Sequence, residues 1–199
     1  NSKKICDIDL TQFNENQNRY TTLKRSILLK FLSQNIPNKN IKFGSVIEEI
    51  VNGEKIEVTL ADNYKEYFDY LVFADGVFSK TRSSIFNDIP PPKFNDSIAL
   101  RGKINGGVFD KDISIHMGSN CHYVIYPLNQ NNEYNFVAII KRKLNDKDLR
   151  ENDLFNSPDF LNSLRLELNK ISSINLENLN SIKAFPVYIS SGFPNINKK

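Results

Sequence analysis

Apolar positions along the chain change spacing several times, and each change marks an element. Leu23, Ile27, Leu28, Phe31 and Leu32 recur as a helical stripe, with Lys24, Arg25 and Lys30 off it. Thr21 or Thr22 is placed to cap this helix, and Pro37 lies beyond its end. Ile41 and Phe43 open a strand that Val46 to Val51 extends. Asn52-Gly53 predicts a hairpin turn, and Ile56, Val58 and Leu60 alternate as the partner strand. Ala61 to Asn63 turns the chain again. The run from Phe68 to Ala74 then carries a single charge, Asp69, and predicts a strand covered on both faces that ends at Asp75-Gly76. Ser79 is placed to cap a short helix through Ile85. Residues 1 to 18 are polar apart from Ile5, Ile8, Leu10 and Phe13, and read as an edge or connector.

Pro90-Pro91-Pro92 forbids helix and interrupts sheet pairing, which marks a boundary. Beyond it the period becomes two. Ile98, Leu100, Gly102 and Ile104 alternate with Ala99, Arg101 and Lys103, and Ile113, Ile115 and Met117 alternate with Ser114 and His116. Cys121 to Leu128 and Tyr134 to Lys141 flank an Asn-rich turn at Asn129 to Asn132, predicting an antiparallel sheet of about four strands. Phe160, Leu161, Leu164, Leu168 and Ile171 predict an amphipathic helix starting near Ser157-Pro158, suited to covering one sheet face. A last strand, Ile182 to Ile189, heads back toward the first region. The fold class is therefore α/β (α+β). In such cores ligands gather at the carboxyl ends of strands, which singles out Asp75 as the first polar group after its run. The alternative reading of Asp75 and Gly76 is a plain turn.

Composition narrows the classes. The 199 residues, 40% hydrophobic, suffice for a core. The 26 basic and 23 acidic residues are interspersed and leave a net charge of +3, which argues against nucleic acid as a partner. No apolar run approaches the roughly 18 residues of a membrane helix, and no signal peptide is recognisable. Cys6 and Cys121 lack metal-like spacing, so a zinc site is not expected and reduced thiols in a cytoplasmic protein are. No Ser-His-Asp, HExxH or P-loop pattern is present. The chain does not begin with Met and is expected to lie inside a longer protein.

Three segments carry a resemblance to a known family. RYTTLKRSILLKFL, with Arg25 and Leu28 at the matching positions, resembles a cofactor-side helix of flavin-dependent aromatic hydroxylases of the p-hydroxybenzoate hydroxylase type. FDYLVFADGVFSKTR resembles the second flavin motif of that family through Asp69, Ala74, Asp75, Gly76, Ser79 and Arg82, with Phe73 where many relatives have Gly or Ala. IALRGKI, MGSNCHYVIYPL and YNFVAII are similar to substrate-domain strands of the salicylate hydroxylase branch, which stands beside the ubiquinone-biosynthesis enzymes. The resemblance implies part of a Rossmann-like FAD-binding domain with a β-meander over residues 1–89, and an antiparallel-sheet substrate domain covered by helices over 90–181. Residues 182–199 would return toward the FAD-binding domain. A GxGxxG strand before residue 1 and a GD motif after residue 199 are expected in the parent protein, and the chain alone is expected to be inactive.

The resemblance also implies roles. Asp75 would accept hydrogen bonds from FAD hydroxyls beside Gly76, Arg25 would face phosphates or the ring edge, and Ile47 would touch adenine through its backbone. For Arg25 a solvated basic helix face is the alternative, and for Ile47 plain core. Ser79 and Arg82 read mainly as cap and helix anchor. Arg101, His122 and Tyr126 are pocket candidates, against a solvent-facing Arg and a structural His. The implied activity is NAD(P)H-dependent monooxygenation of an aromatic or quinone-precursor substrate with dioxygen, without a nucleophile or metal. A same-fold reductase, epoxidase or halogenase, and a non-catalytic binding module, remain open, as do exact substrate and oligomeric state.

Overall fold

The computed structural model describes residues 3–15, 21–86, 89–105, 112–128, 133–151, 153–170 and 179–190. Along the chain run α1 (Arg25–Ser33), β1 (Ile47–Asn52), β2 (Ile56–Leu60), β3 (Lys65–Phe68), α2 (Lys80–Ile85) and β4 (Lys93–Asn105). They are followed by β5 (Ser114–Met117), β6 (Cys121–Pro127), β7 (Glu133–Lys141), α3 (Asp146–Arg150), α4 (Pro158–Asn169) and β8 (Leu179–Ile189). The chain divides into two compact units, one of Asn1–Leu32 with Asp96–Val187 and one of Ser33–Asn95 with Tyr188–Lys199. The mixture of helices with two sheets is the expected fold class. Among the described residues no helix is long and apolar enough to cross a membrane, and no cluster of His, Cys, Asp or Glu is arranged to hold a metal.

The first unit is built on a sheet of order β5-β6-β7-β4-β8, one strand more than the pattern predicted. Alternation places Ile98, Leu100 and Ile104 of β4 with Phe136, Ala138 and Ile140 of β7 on one face, all at 0 to 1% exposure. That face is sealed by α4, whose Phe160, Leu164 and Leu168 are buried. The helix starts as its sequence directs: the Ser157 hydroxyl accepts from the Phe160 N–H, and Pro158 occupies the first turn. Ile171, assigned to the same stripe, and the turn at 129 to 132 lie outside the described residues. The pattern missed α3, although Asn145 and Asp148 form a reciprocal capping box there.

One end of this sheet holds the start of α1. The Lys24 ammonium lies 2.5 Å from the Glu133 carboxylate, which Lys103 approaches at 3.0 Å from the other side. The Thr22 hydroxyl donates to the Pro127 carbonyl at 2.5 Å. Hydrogen bonds from Lys24 and Lys103, in that order, hold the Glu133 carboxyl down at about 2, from an ordinary 4.5. The helix was expected to bury its stripe, but Leu23, Ile27, Leu28, Phe31 and Leu32 are exposed. A helical period shows which face would bury, whereas burial itself needs a surface to receive that face, and the described residues anchor α1 by its polar start.

In the second unit β1, β2 and β3 form an antiparallel meander, with Asn52 opposite Ile56 across a loop of Gly53 to Lys55. The predicted hairpin is present with a three-residue connection in place of the two-residue Asn-Gly turn. Ile41 and Phe43 precede the strand they were expected to open. The larger departure concerns Phe68 to Ala74. β3 ends at Phe68, and Tyr70 and Val72 are 89% and 85% exposed. Phe68 pairs with Ile56, the first residue of β2, so the backbone on that side turns away just where the run continues. Apolar character alone does not make a central strand without ladders on its sides.

Another correction concerns β5. Ile115 and Met117 were assigned to its apolar side, yet they are 63% and 66% exposed while Ser114 and His116 are half-buried. His116 is opposite Tyr123, which is buried, and the two rings stack at 4.4 Å. Pairing register, not hydrophobicity, sets the phase of this short edge strand.

Two outcomes test this architecture. A Cβ added at Gly102 would sit 2.8 Å from Leu179 Cδ1 and 3.2 Å from the Asn180 carbonyl, whereas at Gly53 it would meet only the Lys55 carbonyl at 3.5 Å. Gly102→Ala should therefore cost about 1–3 kcal/mol in urea unfolding and Gly53→Ala less than about 0.5; equal values would show that β4 and β8 do not approach closely. The depressed Glu133 carboxyl makes its contribution in full above pH 4.5 and loses it as pH falls through about 2. An NMR titration should find that midpoint, and Lys24→Met with Lys103→Met should raise it toward 4.5; a wild-type midpoint already at 4.5 would mean the tie is not formed in solution.

Candidate functional site

The turn from Asp75 to Arg82 is organised locally. Gly76 has φ of +86°, a conformation that strains any L side chain, and its carbonyl accepts from the Ser79 N–H at 3.2 Å. Among the described residues nothing lies within 4 Å of where a Cβ would sit, so glycine is demanded by backbone geometry and not by crowding. Ser79 is buried, caps α2 by accepting from the Arg82 N–H at 2.9 Å, and has Thr81 Oγ1 at 3.3 Å. Thr81 donates its hydroxyl to the Asp75 carboxylate. The hydroxyls of Ser79 and Thr81, in that order, hold the Asp75 carboxyl below the usual carboxylate range. Asp75 is thus an exposed anion supported by hydroxyl and backbone N–H donors of its own turn.

Arg82 anchors the helix, donating from Nη2 to the Val77 carbonyl at 3.1 Å, while its buried Nε has no partner among the described residues. The cap and anchor roles expected of Ser79 and Arg82 are both present. Thr81 went unnoticed in the sequence, although a hydroxyl in the first turn of a capped helix after an Asp-Gly pair was the available signal. Ile47, in the same unit, opens β1 opposite Leu60 and is half-buried.

The remaining candidates belong to the first unit. Arg25 is the first residue of α1, exposed, and without an ion pair among the described residues. Arg101, Val137 and Val124 stand side by side across β4, β7 and β6, and His122 and Tyr126 flank Val124 on the same face. This is the face opposite α4. Two strand spacings, about 10 Å, separate Arg101 from Val124. Arg101 lies over the Phe185 ring of β8 at 5.9 Å. Ile115 and Met117 extend the same face from β5, opposite Val124 and His122. The face thus offers a guanidinium, an imidazole and a phenol around an apolar patch. Ile115, Met117 and Phe185 were missed because their phase depends on pairings that no local pattern encodes. His116 lies on the sealed side, where burial pushes its imidazole below the ordinary value.

No family model matches the chain. Among curated proteins it is similar to the FAD-dependent monooxygenase eupB of a Phoma species, 26% identical over 133 residues that cover 59% of this chain and 29% of that protein. The FAD-dependent monooxygenase pigN of Monascus ruber is 25% identical over 130 residues, covering 58% of this chain and 30% of that protein. A solved salicylate hydroxylase in complex with substrate shares the fold with a TM-score of 0.62 at 15% identity, over 85% of this chain and 47% of that one. The chain spans about three tenths of the length of the curated relatives and about half of the solved structure. In sequence, then, this chain is similar to FAD-dependent monooxygenases, and in fold to a salicylate hydroxylase.

Proposed function

We propose that the protein containing this chain is an FAD-dependent monooxygenase that hydroxylates a small aromatic or quinone-precursor substrate, using NAD(P)H and dioxygen in the cytoplasm. The observation that carries this reading is the Asp75-Gly76 turn, an exposed carboxylate kept ionised by Ser79 and Thr81 beside a glycine that leaves room for close approach. This turn fits the hydroxyl-rich chain of a flavin nucleotide, which needs acceptors.

When bound, the flavin supplies the redox chemistry, passing electrons from NAD(P)H to dioxygen. The chain's own part is binding and orientation. Asp75 accepts from cofactor hydroxyls, each charge-assisted bond contributing about 1.5–3 kcal/mol. Gly76 allows the backbone to approach, and Ile47 contributes a backbone contact to adenine. Taken by itself in the first unit, Arg25 is a guanidinium suited to facing phosphates. On the open sheet face Arg101 orients an anionic substrate, His122 and Tyr126 offer hydrogen bonds, and the apolar residues between them exclude water from the reacting ring.

The full-length gene product should purify with bound FAD and should oxidise NAD(P)H faster when a suitable hydroxylated aromatic is added. A protein that holds no flavin after incubation with FAD would overturn the reading. Within it, Asp75→Ala should weaken FAD affinity about tenfold or more, by loss of a charged acceptor, and Thr81→Val less than about threefold. Equal affinities in the two variants would reduce Asp75 to a turn residue.

A further inference from the structure

The start of α1 is held by an unusual division of labour. The Lys24 carbonyl accepts the Ile27 and Leu28 N–H groups at 3.0 and 3.2 Å, so the position of Lys24 is the position of the first turn. Its ammonium is tied to Glu133, a half-buried carboxylate at the start of β7 that also pairs with Lys103 of β4. Two residues earlier, Thr22 bonds the Pro127 carbonyl, at the end of β6. The apolar residues of α1 are exposed, so among the described residues this tie fixes the helix where packing does not. Arg25 follows Lys24 directly.

We propose that Glu133 is a positioning residue for Arg25: by binding Lys24 to the rim of the five-stranded sheet it fixes the first turn of α1 and the direction of the guanidinium. The inference rests on the reading above, in which Arg25 faces the cofactor's phosphates. Glu133 and Lys103 have the same strand parity as Arg101, so the tie sits at the rim of the open sheet face. Arg25 is therefore carried by the sheet that bears the substrate candidates. An isolated exposed ion pair contributes only about 0–1 kcal/mol. This one joins a half-buried carboxylate to two ammonium groups, and without it Lys24 and Lys103 repel one another across the same rim.

The test uses the full-length protein with Glu133→Gln, Arg25→Ala and the double variant. Glu133→Gln should accelerate amide exchange at Ile27 and Leu28 without altering exchange in β4 and β7, a readout independent of flavin. It should also weaken FAD affinity about three- to tenfold in the wild-type background and leave it unchanged in the Arg25→Ala background, because the residue acts through the guanidinium. Unchanged exchange overturns the tie. Altered exchange with equal losses of affinity in both backgrounds, or with no loss, overturns positioning and leaves Glu133 a structural residue. Faster exchange in Glu133→Gln together with a wild-type protein that holds no FAD instead marks the failure of the cofactor reading, and positioning falls with it.

Discussion

The alternation of β7 under α4 is the constraint on which the first unit depends. Tyr134, Phe136, Ala138 and Ile140 point to the sealed side, and β7 lies between β6 and β4, so their positions set the register of both neighbours. Slipping by one residue would turn four buried side chains outward and bring Glu133, Asn135, Val137 and Ile139 beneath α4. The energetic difference is large, because each fully buried aliphatic or aromatic side chain contributes about 1.5–3 kcal/mol. Arg101, His122 and Tyr126 consequently need no individual device to face the open side. They are there because their neighbours in sequence are committed to the core.

The second unit is held in another way. Its meander buries little beyond Val58 and Thr59, and Phe43, Tyr70 and Val72 remain exposed. What fixes the Asp75 turn is polar and local: the cap at Ser79, the Thr81 hydroxyl on Asp75, the Arg82 guanidinium on Val77 and the positive φ of Gly76. Such a turn keeps its shape through a few short-range bonds, whereas the sheet face keeps its shape through cooperative packing. A core substitution such as one at Leu164 is therefore expected to unsettle the open sheet face as a whole, while the Asp75 turn responds to single hydroxyls.

The sequence was most legible where local chemistry decides the structure. Ser79 and Ser157 cap the helices they were expected to cap, the β1–β2 hairpin forms beside Asn52-Gly53, and the alternation in β4 matches its burial from Leu100 onward, whereas Ala99 is buried as well. It was least legible where a partner decides. Phe68 to Ala74 reads as a buried strand by composition, yet β2 offers no backbone beyond Ile56. Ile115 and Met117 read as inward, yet the pairing of His116 with Tyr123 reverses the phase. Glu133, Lys24 and Lys103 were invisible as a group because a hundred residues of chain separate the first lysine from the carboxylate, and charge patterns carry no long-range register. For the candidate site the same division holds: Asp75 and Gly76 stand in a motif that can be read directly, whereas the composition of the open face emerges only from the ladder.

Asp75 in one unit and Glu133 in the other share one electrostatic property. Asp75 is held below its ordinary range by hydroxyls and Glu133 is held at about 2 by two ammonium groups. Neither therefore gains a proton on approaching weakly acidic conditions, so the acceptor at the turn and the tie at α1 keep their charge across the neutral range. A neutral donor such as Thr81 can stabilise an anion in that way without cancelling its charge, which leaves Asp75 available to a hydroxyl-bearing ligand. The lysines on Glu133 do cancel its charge, which suits a group whose work is to hold Lys24 in place. Donor type thus separates the two proposed roles: a hydroxyl-supported carboxylate for binding, and an ion-paired carboxylate for position.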